Sequence, residues 1–159
     1  ALVRDAVFRS HPWNCLLNRV TLSPDTASPE FDYSNQFTLP TDPYCLRVLR
    51  LQDPDTVHKI EGRKLLCDDS IIQLLYIARV TDPNEYDQLL IEALSSRMAM
   101  EVSYSLVNST SLTQLMETQF NTKIREARFV DATEGTPANI TNQDQRLYAE
   151  GDIFIASRF

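Results

Sequence analysis

Few side chains in this sequence have the types and spacing that catalysis requires. The chain has two histidines, His11 and His58, so a catalytic triad or a histidine-containing metal site would need one of them. His11 precedes a proline at the end of a predicted helix, and His58 lies in a basic stretch. Both are expected to be exposed or satisfied within a turn. The sequence therefore predicts no catalytic residue and no small-molecule substrate.

The three cysteines give no sign of metal or redox chemistry. Cys15, Cys45 and Cys67 lie about thirty and about twenty residues apart, which matches none of the short spacings of zinc sites. They are predicted to be buried, reduced thiols. Three glycines are also too few for a dinucleotide fingerprint or a phosphate-binding loop. We therefore expect no cofactor.

Two acidic pairs are the remaining candidates for a metal site. Asp53 with Asp55, and Asp68 with Asp69, could attract a cation, but acidic residues are common in turns. Neither pair belongs to the twelve-residue pattern of a calcium loop. No metal site is predicted.

Composition indicates one folded domain with a substantial core. The chain has 159 residues, of which 43% are hydrophobic and 23% charged. Its net charge of −7 argues against binding nucleic acid or an anionic membrane by bulk electrostatics. The sequence contains neither an apolar run of about 18 residues nor a signal peptide, so a soluble, non-secreted protein is expected. The uncapped helical opening suggests that further residues precede Ala1.

The helical pattern is strongest over residues 82–107. Asp82, Pro83 and Glu85 form a predicted helix start, because Asp82 can cap the first N–H groups and Glu85 completes a capping box. The apolar stripe that follows is wide, and Met98, Val102 and Leu106 widen it further. We interpret this segment as the central helix of a bundle, between helices at about residues 1–10 and 110–129.

Residues 14–80 change to the pattern of short strands. Two of these are expected to form a hairpin across Gly62, which supplies the positive φ of a tight turn. The last strand, IIQLLYIARV, is apolar on both faces and should be central. Trp13, where helix gives way to strand, is predicted to be a buried structural residue.

The predicted fold class is α+β, an antiparallel helical bundle with an inserted antiparallel β unit and an extended C-terminal arm. The predicted domain covers residues 1–130.

Two groups of residues are candidate partner-binding sites. Residues 131–159 are predicted to form the extended arm, whose polar stretch ends in apolar residues with Arg158 as a polar anchor. The arm residues proposed to contact a partner are Ile153, Phe154, Ile155, Arg158 and Phe159. The second group is a possible β-unit interface made by Arg47, Arg50, Lys59, Arg63 and Lys64. The favoured interpretation of this second group is a solvated edge protected by charge, with the partner-binding interface as the alternative.

Four segments together resemble the head-to-tail adaptor of short-tailed bacteriophages, the tail tubular protein A family. They are RDAVFRSHPWN, FTLPTDPYCLRV, EGRKLL and YIARVTDPNEYD, in this order. The resemblance extends from about residue 3 to about residue 128. Family members begin with a longer helix, which also implies residues ahead of Ala1.

The resemblance implies a structural protein without catalytic activity. Family members form a twelve-subunit ring, a connector that binds the portal protein above and the tail nozzle protein below. The ring encloses the channel through which double-stranded DNA passes during ejection, without specific binding. The implied location is the virion tail, after synthesis in the host cytoplasm. From the residues alone, the alternative is a non-catalytic interaction module that binds a partner through a β edge or its C-terminal arm.

Overall fold

The computed structural model describes residues 2–107 and 109–134, in which six β-strands lie between one short α-helix and two long ones. A helix opens the chain, six short strands follow, and two long helices close it. The elements are α1 (Leu2–Arg9), β1 (Leu17–Leu22), β2 (Asn35–Thr38), β3 (Cys45–Leu51), β4 (His58–Glu61), β5 (Lys64–Cys67), β6 (Ile72–Ala78), α2 (Gln88–Val107) and α3 (Thr110–Thr133).

The strands form two antiparallel sheets of three strands each. The first sheet has the order β1-β6-β3 and the second the order β2-β5-β4. In the first sheet Leu22 pairs with Ile72, and in the second Asn35 and His58 both flank Cys67. The connections β1–β2, β3–β4 and β5–β6 therefore all cross between the sheets at the same end, which we call the crossover end.

Two apolar clusters divide the molecule into three layers. One cluster lies between the two sheets and includes Phe37, Leu65 and Tyr76. The other lies between the first sheet and the helices and includes Ile77 and Leu90. Tyr76 and Ile77 are neighbours on β6, so this strand contributes to both cores. The prediction of a central strand covered on both faces is confirmed.

The predicted fold class, a helical bundle with an inserted β unit, is wrong. The core is mainly β-sheet, with two sheets stacked on each other and the helices on one outer face. The physical reason is the length of α1, whose eight residues span about 12 Å and contact only part of α2 and β3. The first sheet occupies the position that the prediction gave to a third packed helix.

The predicted width of the α2 stripe is also wrong. Leu90 and Ala93, near the start of α2, are completely buried against the first sheet and α3. Further along the helix, Met98, Val102 and Leu106 are exposed. A 20-residue helix of about 30 Å extends beyond the short strands that could cover it.

The start of α2 differs from the predicted start at Asp82. Asp82 does accept a hydrogen bond from a backbone N–H, but it caps a separate 3₁₀ turn at Pro83–Glu85. Tyr86 then has an extended backbone, because its hydroxyl donates to the Val80 carbonyl at 2.8 Å. The helix begins only after Asp87, whose carboxylate accepts from the N–H of Leu89 at 2.8 Å. A tertiary contact thus overrides the local capping signal.

Other local predictions agree with the structure. β4 and β5 form the expected hairpin, and Gly62 has a φ of 57°. Trp13 is completely buried, and its indole N–H donates to the Val7 carbonyl at 3.2 Å. The structural role predicted for this tryptophan is confirmed.

Candidate functional site

The five basic residues predicted as a possible interface are divided between the two sheets. Arg47 and Arg50 are exposed on β3, in the first sheet. Lys59, Arg63 and Lys64 lie in the β4–β5 hairpin of the second sheet. Because the set is divided between two stacked sheets, each member must be considered by its own contacts.

Arg63 holds together the turn between β2 and β3. Its guanidinium donates to the carbonyls of Cys45 at 2.7 Å, Pro40 at 2.5 Å and Leu39 at 3.2 Å. It also lies over the Tyr44 ring, 4.0 Å from the ring centroid. With its donors directed at three carbonyls of its own chain, Arg63 acts within the fold.

The two lysines of the hairpin are paired with carboxylates of their own chain. Lys64 forms an ion pair with Asp25, and this hydrogen bond holds the pKa of Asp25 below its usual value near 3.8. Lys59 pairs with Glu61 at 2.7 Å, and both side chains are exposed. Neither lysine offers a strong unpaired charge to a partner.

The two histidines lie in different surroundings. His58 is exposed and donates from Nδ1 to the Thr56 carbonyl at 3.1 Å, as predicted. His11 differs from the prediction, because its Nε2 donates to the carboxylate of Asp131 at 3.0 Å. Asp131 is buried and also accepts from the backbone N–H of Asn14 at 2.8 Å. This contact joins the end of α3 to the turn after α1, and a separation of about 120 residues gives no sequence signal for it.

A cleft of about 610 Å³ lies beside this region, between the start of β1 and the end of β6. Arg79, on its wall, pairs with Asp5 at 2.8 Å and lies 4.3 Å from the Tyr44 ring centroid. Cys15 is the one thiol of the lining, and burial raises its pKa. The lining residues include no histidine, so the cleft lacks a thiol and imidazole pair for nucleophilic catalysis.

The crossover end exposes large apolar side chains. Each of the three connections carries one such residue: Phe31 with 76% of its surface exposed, Val57 with 74% and Ile71 with 62%. The connections are also tied to one another. Ser34 N–H donates to Asp68 at 2.8 Å, and the Thr56 hydroxyl donates to Asp69 at 2.6 Å. The three apolar residues therefore project from a braced set of loops.

The same connections are acidic and contain no basic residue. Residues 23–34, 52–57 and 68–71 include no lysine and no arginine. Exposed aspartates surround the apolar residues on all three connections: Asp32, Asp53, Asp55, Asp68 and Asp69. These five aspartates, together with Phe31, Val57 and Ile71, form what we call the crossover surface. From the sequence alone, only its two acidic pairs stand out, as candidate ligands of a cation.

Arginines gather on a separate part of the molecule. Arg47 donates to the Arg9 carbonyl at 3.4 Å, and Arg128 donates to the Ser10 hydroxyl at 3.0 Å, so both reach the end of α1. On α3, Arg125 and Phe129 share a face with Arg128 by their spacing, and Phe129 is 72% exposed. We call Arg9, Arg47, Arg125, Arg128 and Phe129 the basic surface.

A third exposed region is the outer face of α2. Met98, Val102 and Leu106 are spaced four residues apart and are all exposed, and we call them the apolar stripe. The contacts of α2 with α3 lie on a different face, where Arg97 stacks over Phe120 and Ser103 bonds to Thr113 at 3.0 Å. The helix pair thus keeps its own interface and leaves the stripe uncovered.

Two further findings limit the kinds of site that the described residues can form. Within residues 2–107 and 109–134, no group of three or more His, Cys, Asp or Glu side chains is arranged to hold a metal ion. None of the helices in this part of the chain is long and apolar enough to cross a membrane.

The predicted arm contacts, Ile153, Phe154, Ile155, Arg158 and Phe159, lie outside the described residues. Neither protein-family models nor curated proteins give a match to this chain.

Proposed function

We propose that this chain is a structural subunit of the connector of a short-tailed bacteriophage, similar to the head-to-tail adaptor, tail tubular protein A. In this role it forms a twelve-subunit ring between the portal protein and the tail nozzle protein. Double-stranded DNA passes through the ring without specific binding. The protein acts in the virion tail, after synthesis in the host cytoplasm, and catalyses no reaction.

One observation carries the proposal. Each of the four segments that resemble the family contributes one residue to a single contact cluster, although the segments are far apart in sequence. Arg79 pairs with Asp5, and the guanidinium groups of Arg79 and Arg63 both lie over the Tyr44 ring. Residues that define the resemblance are therefore residues that join α1 to both sheets. This supports a shared fold with the family rather than a chance match of short segments.

The exposed surfaces support a role in an assembly. The apolar stripe, Met98 with Val102 and Leu106, lies on a long helix beside the ion pair of Arg97 and Glu101. Contiguous exposed apolar side chains of this kind mark interaction sites in soluble proteins. In the proposed ring this stripe is covered by another subunit or by the portal. The residues at 153–155, 158 and 159 are proposed to bind the portal, with a neighbouring subunit as the second choice.

A second candidate function is a non-catalytic interaction module that binds a peptide along a β edge. The observation that favours it is β4, all four residues of which are exposed and whose outer edge has no partner strand among the described residues. Such an edge can accept an additional strand. A peptide-binding module would work as a monomer, which distinguishes it from the ring subunit.

The test is assembly with the portal. The full chain is mixed with purified portal ring and examined by native mass spectrometry and by electron-microscopic averaging. We expect a ring of twelve copies on one face of the portal. A chain that remains monomeric beside the portal would overturn the proposal, and binding of a peptide by that monomer would favour the module.

A variant of the apolar stripe makes the test specific. Met98→Gln with Val102→Thr and Leu106→Gln should reduce ring formation while leaving the melting temperature nearly unchanged, because these side chains are exposed in the single chain. Leu2→Gln is the matched control, since Leu2 is exposed on α1, away from the stripe. Equal assembly of both variants would show that the stripe takes no part in the ring.

A further inference from the structure

We infer that the crossover surface of one copy of this chain binds the basic surface of the next copy, in a head-to-tail contact. The inference rests on the proposed function, because it assigns the two surfaces by which ring subunits meet. The partner of the crossover surface is a second copy of the same chain, because the charge and the apolar content of the basic surface complement those of the crossover surface.

The crossover surface has the composition of an interface. Phe31, Val57 and Ile71 come from three different connections, and each is more than half exposed. The hydrogen bonds from Ser34 to Asp68 and from Thr56 to Asp69 hold the loops in place before binding. A braced surface loses little conformational entropy when it binds.

The charge of the crossover surface specifies a basic partner. Five exposed aspartates surround its apolar residues, and the connections carry no lysine or arginine. A partner must therefore present arginine or lysine around an apolar side chain. Phosphate-bearing partners such as nucleic acid are repelled by the same charges.

The basic surface of the same chain meets this requirement. Arg47 and Arg128 both reach the end of α1, where Arg9 lies, and Arg125 and the exposed Phe129 share a face of α3 with Arg128. Within the described part of the chain, none of these four arginines forms an ion pair.

Arg128 gives the strongest indication of a missing carboxylate. Its guanidinium is partly buried, burial lowers its pKa, and its Nε is buried without a hydrogen-bond partner in the described residues. A desolvated cation without a counter-charge is unfavourable, so an aspartate that arrives at the accessible terminal nitrogens of this guanidinium would compensate for the lost hydration, although the buried Nε itself stays out of its reach.

The positions of the two surfaces determine the type of assembly. The crossover surface is made by loops at one end of the sheets, whereas the basic surface is made by α1, β3 and α3. Because they are different surfaces, a row of subunits keeps a free crossover surface at one end and a free basic surface at the other. Such heterologous contacts close into a ring when the rotation per subunit allows it.

The test is charge reversal with rescue, measured as self-association of the full chain by sedimentation and as ring formation on the portal. Asp53→Lys with Asp55→Lys, and separately Arg9→Glu with Arg125→Glu, should each weaken association on the order of tenfold or more at low salt. The chain that carries all four changes should recover association, because both surfaces are then reversed. The control reverses Glu85 and Glu117, which are exposed outside both surfaces.

A second measurement does not depend on charge reversal, in case the turn at Asp53 fails to fold. A benzophenone amino acid in place of Phe31 should cross-link, under light, to residues 125–129 or to Arg9 of another copy. Cross-links to any other surface, or absence of rescue in folded variants, would overturn the inference.

The outcomes separate this inference from the proposed function. A twelve-subunit ring on the portal with cross-links elsewhere would retain the function and reject the head-to-tail assignment. Cross-links between the two surfaces, without a ring on the portal, would retain the assignment and reject the connector role. A chain that never associates would reject both.

Discussion

Replacing Asp131 by alanine should destabilise the whole domain, although this residue lies at the far end of α3. Its carboxylate is nearly inaccessible and accepts two hydrogen bonds, from Asn14 N–H at 2.8 Å and from His11 Nε2 at 3.0 Å. Its backbone carbonyl accepts a third, from the Asn14 amide at 2.7 Å. The residue therefore joins α3 to the segment between α1 and β1.

The magnitude follows from the groups left without partners. Alanine removes both carboxylate acceptors, and a hydrogen bond to a charged group contributes about 1.5–3 kcal/mol. We expect Asp131→Ala to lower the free energy of unfolding by about 3 kcal/mol, since the third bond, to the backbone carbonyl, is retained. For a chain of this length that corresponds to a fall of about 6–12 °C in melting temperature. Asp131→Asn keeps an acceptor for Asn14 and should cost about 1 kcal/mol.

Urea unfolding followed by tryptophan fluorescence measures this directly. Trp13 is the single tryptophan of the chain, and its ring lies 4.7 Å from the ring of His11, so it reports on the same contact. Glu117→Ala is the control, because Glu117 is exposed on the same helix. If Asp131→Ala is within about 0.5 kcal/mol of the parent and no less stable than the control, the reasoning about this contact is refuted.

Three further predictions concern residues inside the fold. Trp13→Ala should lower the free energy of unfolding by about 3–5 kcal/mol in thermal or urea unfolding, because the ring is completely buried. Arg63→Lys should cost about 2–3 kcal/mol in the same assay, since the single nitrogen of an ammonium cannot occupy the positions of both guanidinium nitrogens that reach the three carbonyls, and it has no plane to stack on Tyr44. The pKa of Asp25 is lowered by Lys64, so its contribution to stability is present above about pH 4 and is lost as pH falls through the lowered pKa. Asp25→Asn should therefore lose less stability than the parent between about pH 4 and pH 2, measured by urea midpoints at each pH.

The strands were predictable because their signals are local. Apolar residues on both faces identified β6 as a central strand, and Gly62 marked the hairpin between β4 and β5. The burial of Trp13 also followed from its position between a helix and a strand. In each case the pattern within about ten residues contained the information, and tertiary contacts did not oppose it.

The arrangement of layers was not predictable in the same way. A stripe on α2 shows that the helix packs against something, but periodicity cannot tell a sheet from a helix as the partner. The predicted start of α2 was wrong for a related reason: the Tyr86 hydroxyl donates to the Val80 carbonyl, and the helix begins only at Gln88. The contact between His11 and Asp131 leaves no local pattern at either residue.

The candidate interaction surfaces show why net charge alone misleads. The value of −7 describes the chain as a whole and says only that phosphate-rich partners are disfavoured in bulk. In the fold, Asp53 and Asp69 lie on loops without basic residues, whereas Arg47 and Arg128 converge on the end of α1. Separated charges of this kind favour contacts between copies of the same chain, because each copy carries both the acidic and the basic side of the contact. The sequence contains the aspartates of these loops, but only the sheet topology, which brings three separate connections to one end, shows that they lie at the same end of the molecule.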